Sequence, residues 1–141
     1  MSGKAERNRE LVERGFALFS AGDFTAAMAT IHPRIEWHLT FHLPDLPAGK
    51  DVYRGPAEVL TVWESFKSVW EELVIDIEEF VHADDERLVF RARFKARGAA
   101  SGIEIDRVVF YAARIEEEML AYLRAHDDER SARRDLGLDY V

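Results

Sequence analysis

Apolar residues recur at helical spacing over residues 5–21, where Leu11, Val12, Phe16, Leu18 and Phe19 share roughly one face and charges take the other. The pattern predicts an amphipathic helix that ends at Gly22. Asp23 can cap a second, shorter helix from Phe24 to about Ile31, closed by Pro33. The period then drops to two: Ile35, Trp37, Leu39 and Phe41 alternate with Glu36, His38, Thr40 and His42, which predicts a strand over 35–42 with one buried face. Leu43 to Gly55, with Pro44, Pro47, Gly49 and Gly55, reads as a loop within the domain. Pro56 opens a third helix over 56–71. Its stripe of Val59, Leu60, Val62, Trp63, Phe66, Val69, Trp70 and Leu73 is wide enough to be mostly core.

The second half reads as an antiparallel meander. Leu73 to Ala83 is a strand, Asp84-Asp85 a turn, and Arg87 to Arg97 a long strand. Residues 98–102 form a hairpin loop, and Ile103 to Ala112 is the next strand. Residues 114–124 contain strong helix formers, but pairing with the preceding strand predicts a final strand. Residues 126–136 form a short polar helix or turn, with Gly137 past its end.

Within the long strand, Leu88, Phe90, Ala92 and Phe94 take one face and Arg91, Arg93, Lys95 and Arg97 the other. Asp76 and Glu78 before it, and Glu104 and Asp106 after it, complement that basic row, so cross-strand pairing on a solvated outer face is expected. The same phase turns Ile105, Arg107, Val109 and Tyr111 inward, where Arg107 requires a partner or a polar cavity. Val108, Phe110 and Phe80 fall on the outer face and predict a homodimer through it.

The chain has 141 residues, a formal net charge of −8, 48% apolar residues and no cysteine. One core fits this length, so residues 1–141 are expected to form a single domain. The missing cysteine excludes a disulfide scaffold, a thiolate zinc site and a thiol nucleophile. The acidic balance argues against a nucleic-acid partner. No apolar signal-peptide core and no membrane-spanning apolar run is present, so a cytoplasmic protein off the membrane is expected.

The order of these elements carries specific residues: Ala21-Gly22-Asp23-Phe24 after the first helix, Glu36-Trp37 in the first strand, Tyr53-Arg54-Gly55 before the long helix, and Ser101-Gly102 in a hairpin of the meander. From about Asn8 to Leu138 the chain resembles the SnoaL-like branch of the nuclear transport factor 2-like superfamily. The resemblance implies an α+β, cone-shaped roll: a strongly curved mixed or antiparallel sheet wraps the long helix, two further helices precede it, and a pocket opens at the wide end. It also implies kinship with ketosteroid isomerases, polyketide cyclases, dehydratases, limonene epoxide hydrolases and noncatalytic binding domains. The isomerases' general-base aspartate falls on His38, and their oxyanion tyrosine falls on Gly15, which lacks that group. In limonene epoxide hydrolases an Asp-Arg-Asp trio acts; Arg107 is the candidate arginine here, but Arg124 stands two residues after Tyr122 where an aspartate is expected. The usual Asp-Gly hairpin before the last strand is replaced by Ala112-Ala113-Arg114.

His38 is the candidate catalytic acid/base, because imidazole titrates near working pH. Strict alternation sends it away from the core face, and a bulge would be needed to return it. A ligand-touching or purely structural His38 stays open beside the catalytic role. Tyr53, Trp63, Phe66, Tyr111 and Tyr122 are candidate aromatic pocket walls, and Arg107 with Tyr111 would stabilise charge. His38 and His42 are about 13 Å apart on a strand and cannot share a metal; Glu36 and His38 could share one, but no third ligand is evident, and no metal and no cofactor is expected. Two function classes follow. One is a cofactor-independent isomerase, cyclase, dehydratase or hydrolase acting by proton transfer on a small apolar, oxygenated molecule. The other is a noncatalytic small-ligand-binding or dimerisation module.

Overall fold

The computed structural model describes residues 3–39 and 50–138. The expected strand positions Thr40, Phe41 and His42, and the Pro/Gly stretch through Gly49, lie outside the described residues. The chain runs α1 (Gly3–Ser20), α2 (Phe24–Met28), β1 (Ile31–His38), β2 (Val52–Arg54), α3 (Gly55–Val69), β3 (Trp70–Ala83), β4 (Arg87–Gly98), β5 (Glu104–Glu116), β6 (Met119–His126) and α4 (Glu129–Asp135). The strands form one open six-stranded sheet in the order β2-β1-β6-β5-β4-β3. All neighbours are antiparallel except β1 and β6. This is the α+β roll expected from the resemblance. No described helix is long and apolar enough to cross a membrane.

The inner face of the sheet carries Phe90, Phe94, Val109 and Tyr111, all buried. Helix α1 lays Phe16 edge-on against both Phe90 and Tyr111, with ring centroids 5.4 Å apart in each case. Helix α3 presents Trp63 to Phe19, Phe24 and Trp37 at 5.3, 5.5 and 5.7 Å. Such edge and tilted contacts add specific geometry to the burial of large apolar area. The outer face has its own small cluster: Val89 and Ala112 lie beneath Ala132 of α4 and Leu136 at its C-cap, with Val81, Phe110 and Tyr122 around them.

Several boundaries differ from expectation. Helix α2 stops at Met28, and Pro33, expected to close it, lies inside β1. Pro33 is tolerated there because the β1–β6 register shifts between Ile31 and Glu36, where a ladder hydrogen bond is not required of it. Strand β2 went unread because three residues carry no period. Phe80, expected on the outer face, turns inward onto Phe90 at 5.4 Å. Shifts in the β3–β4 register between Ile77 and Glu79 and between Phe80 and His82 change the phase. The basic row behaves as expected: Arg93 reaches Asp106 at 2.9 Å and Glu78 at 3.3 Å, and Arg97 reaches Glu72 at 3.1 Å.

The last hairpin is also relocated. Strand β5 continues through Ala112-Ala113-Arg114 to Glu116, and the turn is Glu117-Glu118, with φ of 52° and 63°. Two consecutive left-handed residues between the paired Glu116 and Met119 meet the demand of a tight primed turn, normally supplied by Asn-Gly or Asp-Gly. Glu117 is held by His32, whose Nε2 lies 3.2 Å from its carboxylate. The Arg34 N–H donates to His32 Nδ1 at 3.0 Å, which leaves Nε2 to carry the proton towards Glu117. Glu118 has no such hydrogen bond or ion pair among the described residues. Replacing Glu118 with Gly should therefore stabilise the fold by about 1 kcal/mol. A higher urea midpoint with an unchanged slope would show it; a lower midpoint would refute the strain account.

The β3–β4 turn is built around Asp84. Its carboxylate accepts from the backbone N–H groups of Glu86 (2.9 Å) and Arg87 (2.7 Å), from Arg87 Nε (3.1 Å), and sits 2.8 Å from His82 Nε2. Asn8 of α1 clamps the same turn by donating to the carbonyls of Asp84 and Asp85. Burial alone would raise the Asp84 pKa, but the bonds from His82, Glu86 and Arg87 and the Arg87 charge outweigh it and hold it at about 2. The folded value lies below the unfolded one, so the stabilisation is present above the unfolded pKa and lost as pH falls towards 2. We expect Asp84→Asn to cost about 2 kcal/mol at pH 7 and the gap to the parent chain to close as acid protonates the carboxylate. Urea unfolding of both proteins across the acid range would check this, and a pH-independent gap would contradict it.

Candidate functional site

The interior of the roll keeps a cavity of only about 20 Å³, room for about one water. Its wall comes from the apolar faces of α1 and α3 and the inner faces of β1, β3 and β6. Phe16, Phe19, Trp37, Trp63, Ile75 and Leu120 dominate it, with Gly15 and Thr30 completing one side. Thr30 donates its hydroxyl to the Ala27 carbonyl at 2.7 Å. None of the described wall residues carries a side chain that titrates at ordinary pH. The indole Nε1 of Trp63 is buried with no hydrogen-bond partner among the described residues, as is the Tyr53 hydroxyl nearer β1. Burial raises the Tyr53 phenol above its usual pKa, Lys50 opposing the rise. An unpaired buried donor is costly, so each is a place where an acceptor would be welcome.

The candidate residues do not converge. Trp63 lines the interior cavity. Tyr53, Phe66 and Tyr111 belong to the same packed core without forming that wall. His38 and Tyr122 project from the other face of the sheet, where their rings lie 5.2 Å apart. No bulge returns His38 to the interior, because β1 keeps regular pairing with β2 from Glu36 to His38. Arg107 follows the inward phase of β5, beside Phe94 in register, but sits where β6 has already ended. There it pairs with Asp127 at 2.8 Å, which supplies the partner its phase demanded.

The outer face holds a connected polar group. Arg54 reaches Glu36 at 3.4 Å, and Glu36 meets His38 Nε2 at 2.8 Å. Tyr122 donates to Asp135 of α4 at 2.8 Å, and His126 Nε2 lies 2.9 Å from the same carboxylate. Burial first, then the Asp135 bond and charge, push the Tyr122 phenol up to about 12, with Arg124 opposing. Tyr122 therefore stays protonated and serves as a donor that fastens α4. Beside this network a cleft of about 390 Å³ opens between the ends of β5 and β6 and the start of α4, bordered by Arg107, Arg124, His126 and Asp127. No group of three or more metal-ligating side chains occurs among the described residues.

The interior wall was largely missed by sequence reasoning. Leu11, Phe16 and Ile75 carry the same one-face signal whether they fill a core or line a void. The cleft was missed because it depends on where β6 ends relative to β5.

Known proteins place this architecture. The SnoaL-like domain family matches residues 12–123, and the chain belongs to that family. No curated protein matches it. Among solved structures, Bal32a from a soil-derived mobile gene cassette superposes with a TM-score of 0.74 at 17% identity, covering 88% of this chain and 91% of that one. A putative SnoaL-like polyketide cyclase from Jannaschia sp. CCS1 gives 0.73 at 14% identity, covering 89% and 88%. A hypothetical protein with a ketosteroid isomerase-like fold from Catenulispora acidiphila DSM 44928, in complex with trimethylamine, gives 0.70 at 11% identity, covering 92% and 94%. At these identities the likeness establishes the fold, and function must be argued from this chain's own side chains.

Proposed function

We propose that this SnoaL-like domain binds a compact, largely apolar molecule with one acceptor oxygen inside the roll, and performs no proton transfer there. The observation that carries this reading is the interior wall: apolar and aromatic, without a titratable side chain, yet including Trp63, whose indole N–H has no partner among the described residues. The ligand oxygen would satisfy that donor, and its body would replace the small void. The cavity's size requires a small ligand or displacement of the Trp37 and Trp63 rings. Tyr53, Phe66 and Tyr111 support this wall from behind.

A proton-transfer enzyme is the second reading, favoured by the Glu36–His38 pair. A carboxylate 2.8 Å from Nε2 orients an imidazole as a general base is oriented. In that reading the substrate lies on the outer face against His38 and Tyr122, with no cofactor. A homodimer through the outer face is proposed only for the β3–β5 charge ladder, since α4 covers Val89 and Ala112 and partly covers Phe110. Sedimentation velocity at micromolar concentration would reveal it, and a monomer would reject it.

Cyclopentanone, titrated in H₂O for the shifts and incubated in D₂O for the exchange, tests both functional readings. Saturable NMR shifts at the Trp63 indole N–H and at the Leu11 and Ile75 methyls are expected, with no protein-dependent deuteration next to the carbonyl. Absence of those shifts overturns the binding reading. Deuteration that is accelerated by the protein and lost in His38→Ala would replace it with the proton-transfer reading.

A further inference from the structure

We propose that the cleft at the end of β5 and β6 is a binding site for a small organic monocarboxylate. It lies outside the interior and does not depend on the interior reading. Strand β6 pairs with β5 only as far as His126 opposite Phe110, then turns into Asp127-Asp128. Strand β5 runs on to Glu104 without that neighbour, and the gap is the cleft. At about 390 Å³ it falls within the size range of small-molecule sites.

The charged groups on its border are two arginines and two aspartates, with His126 beside them. Arg107 and Arg124 bring two planar guanidinium forks, and His126 is held in place by Asp135 at 2.9 Å. Of the two carboxylates there, Asp128 is committed to capping α4, accepting from the Ser131 N–H at 2.7 Å. Capping holds its pKa below the usual carboxylate value, so it stays engaged. Asp127 is the other, and it shows what the site accepts: its carboxylate sits 2.8 Å from Arg107 Nη2 while the side chain is 86% exposed. An exposed ion pair of this kind is weak and easily exchanged. Asp127 thus acts as a tethered competitor, and a free carboxylate can take its place on Arg107; Arg124, which also bonds the Tyr122 hydroxyl, borders the same cleft. Planar, bidentate pairing favours carboxylate on a guanidinium. The cleft surface is mostly polar, with the buried Val109 and the part-buried Ala125 beneath it.

Benzoate is the probe, followed by amide NMR shifts at Val109, Ala125 and Ser131. The parent chain should bind it weakly and saturably. Asp127→Asn removes the competitor and should bind it several-fold tighter, whereas Arg107→Gln and Arg124→Gln should each lose about tenfold. Arg107→Lys, which keeps the charge but loses the fork, should fall between. Benzyl alcohol, neutral and of similar shape, should leave these amides unmoved. Thermal midpoints of all variants confirm that the fold persists. The proposal is overturned if neither the parent chain nor Asp127→Asn binds benzoate at millimolar concentration. It is equally overturned if benzyl alcohol binds as well, or if the arginine variants retain full affinity. The interior test reads different signals, the Trp63 indole and the Leu11 and Ile75 methyls, so either result can fail without the other.

Discussion

The fold depends on the contact of Trp63 with Phe19, Phe24 and Trp37. A curved sheet cannot close on itself here, and the space it encloses must be filled from α1 and α3. Large aromatic rings do that with few residues, but their rigid shapes leave one residual void. The same filling keeps charge out. An ionised side chain on the interior wall would lose its hydration without a partner, so the groups that could move protons are displaced to the outer face and the sheet ends.

Strand β1 shows how that displacement is enforced. Trp37 must face Trp63, and period-two alternation then fixes Glu36 and His38 on the opposite side. Once outside, they are not left bare. Glu36 pairs with His38, His38 packs on Tyr122, and Tyr122 ties down α4 through Asp135. The family's likeness placed a catalytic aspartate at His38, whereas the pleat of this strand sets its side chain behind the sheet. Fold membership and side-chain direction are separate facts, and only the second bears on chemistry.

Most elements were legible because their burial is one-sided. The stripe of Val59, Val62, Trp63 and Phe66 and the alternation of Leu88, Phe90, Ala92 and Phe94 leave little freedom. The failures have particular physical causes. Pro33 looked like a helix stop because nothing local announces a strand irregularity that tolerates it. Glu117-Glu118 went unread as a turn because a left-handed turn built from glutamates goes against residue preference, and His32 compensates from 85 residues away. Phe80 was misassigned because register shifts in β3 change the phase, which only the pairing with β4 reveals. The interior wall was not separable from core, since a void differs from packing by a few ångströms and not by residue type. The cleft was invisible for another reason: it is a difference in length between two strands.

That difference in length gives the molecule its asymmetry. Where β5 and β6 run together, the outer face is apolar enough to take α4, and Ala132 and Leu136 are buried against Val89 and Ala112. Where β6 stops, β5 is exposed along one edge, and an open edge invites pairing with another chain unless charge or cover prevents it. Glu104, Asp106 and Arg107 charge this stretch, and the Asp127 turn folds back to neutralise Arg107. A device that protects a strand edge and a site that receives an anion therefore use the same residues. Protection needs Arg107 to be paired, but it does not specify which carboxylate pairs with it. A ligand that supplies its own carboxylate preserves the protection while displacing Asp127, so occupying the cleft need not expose the edge.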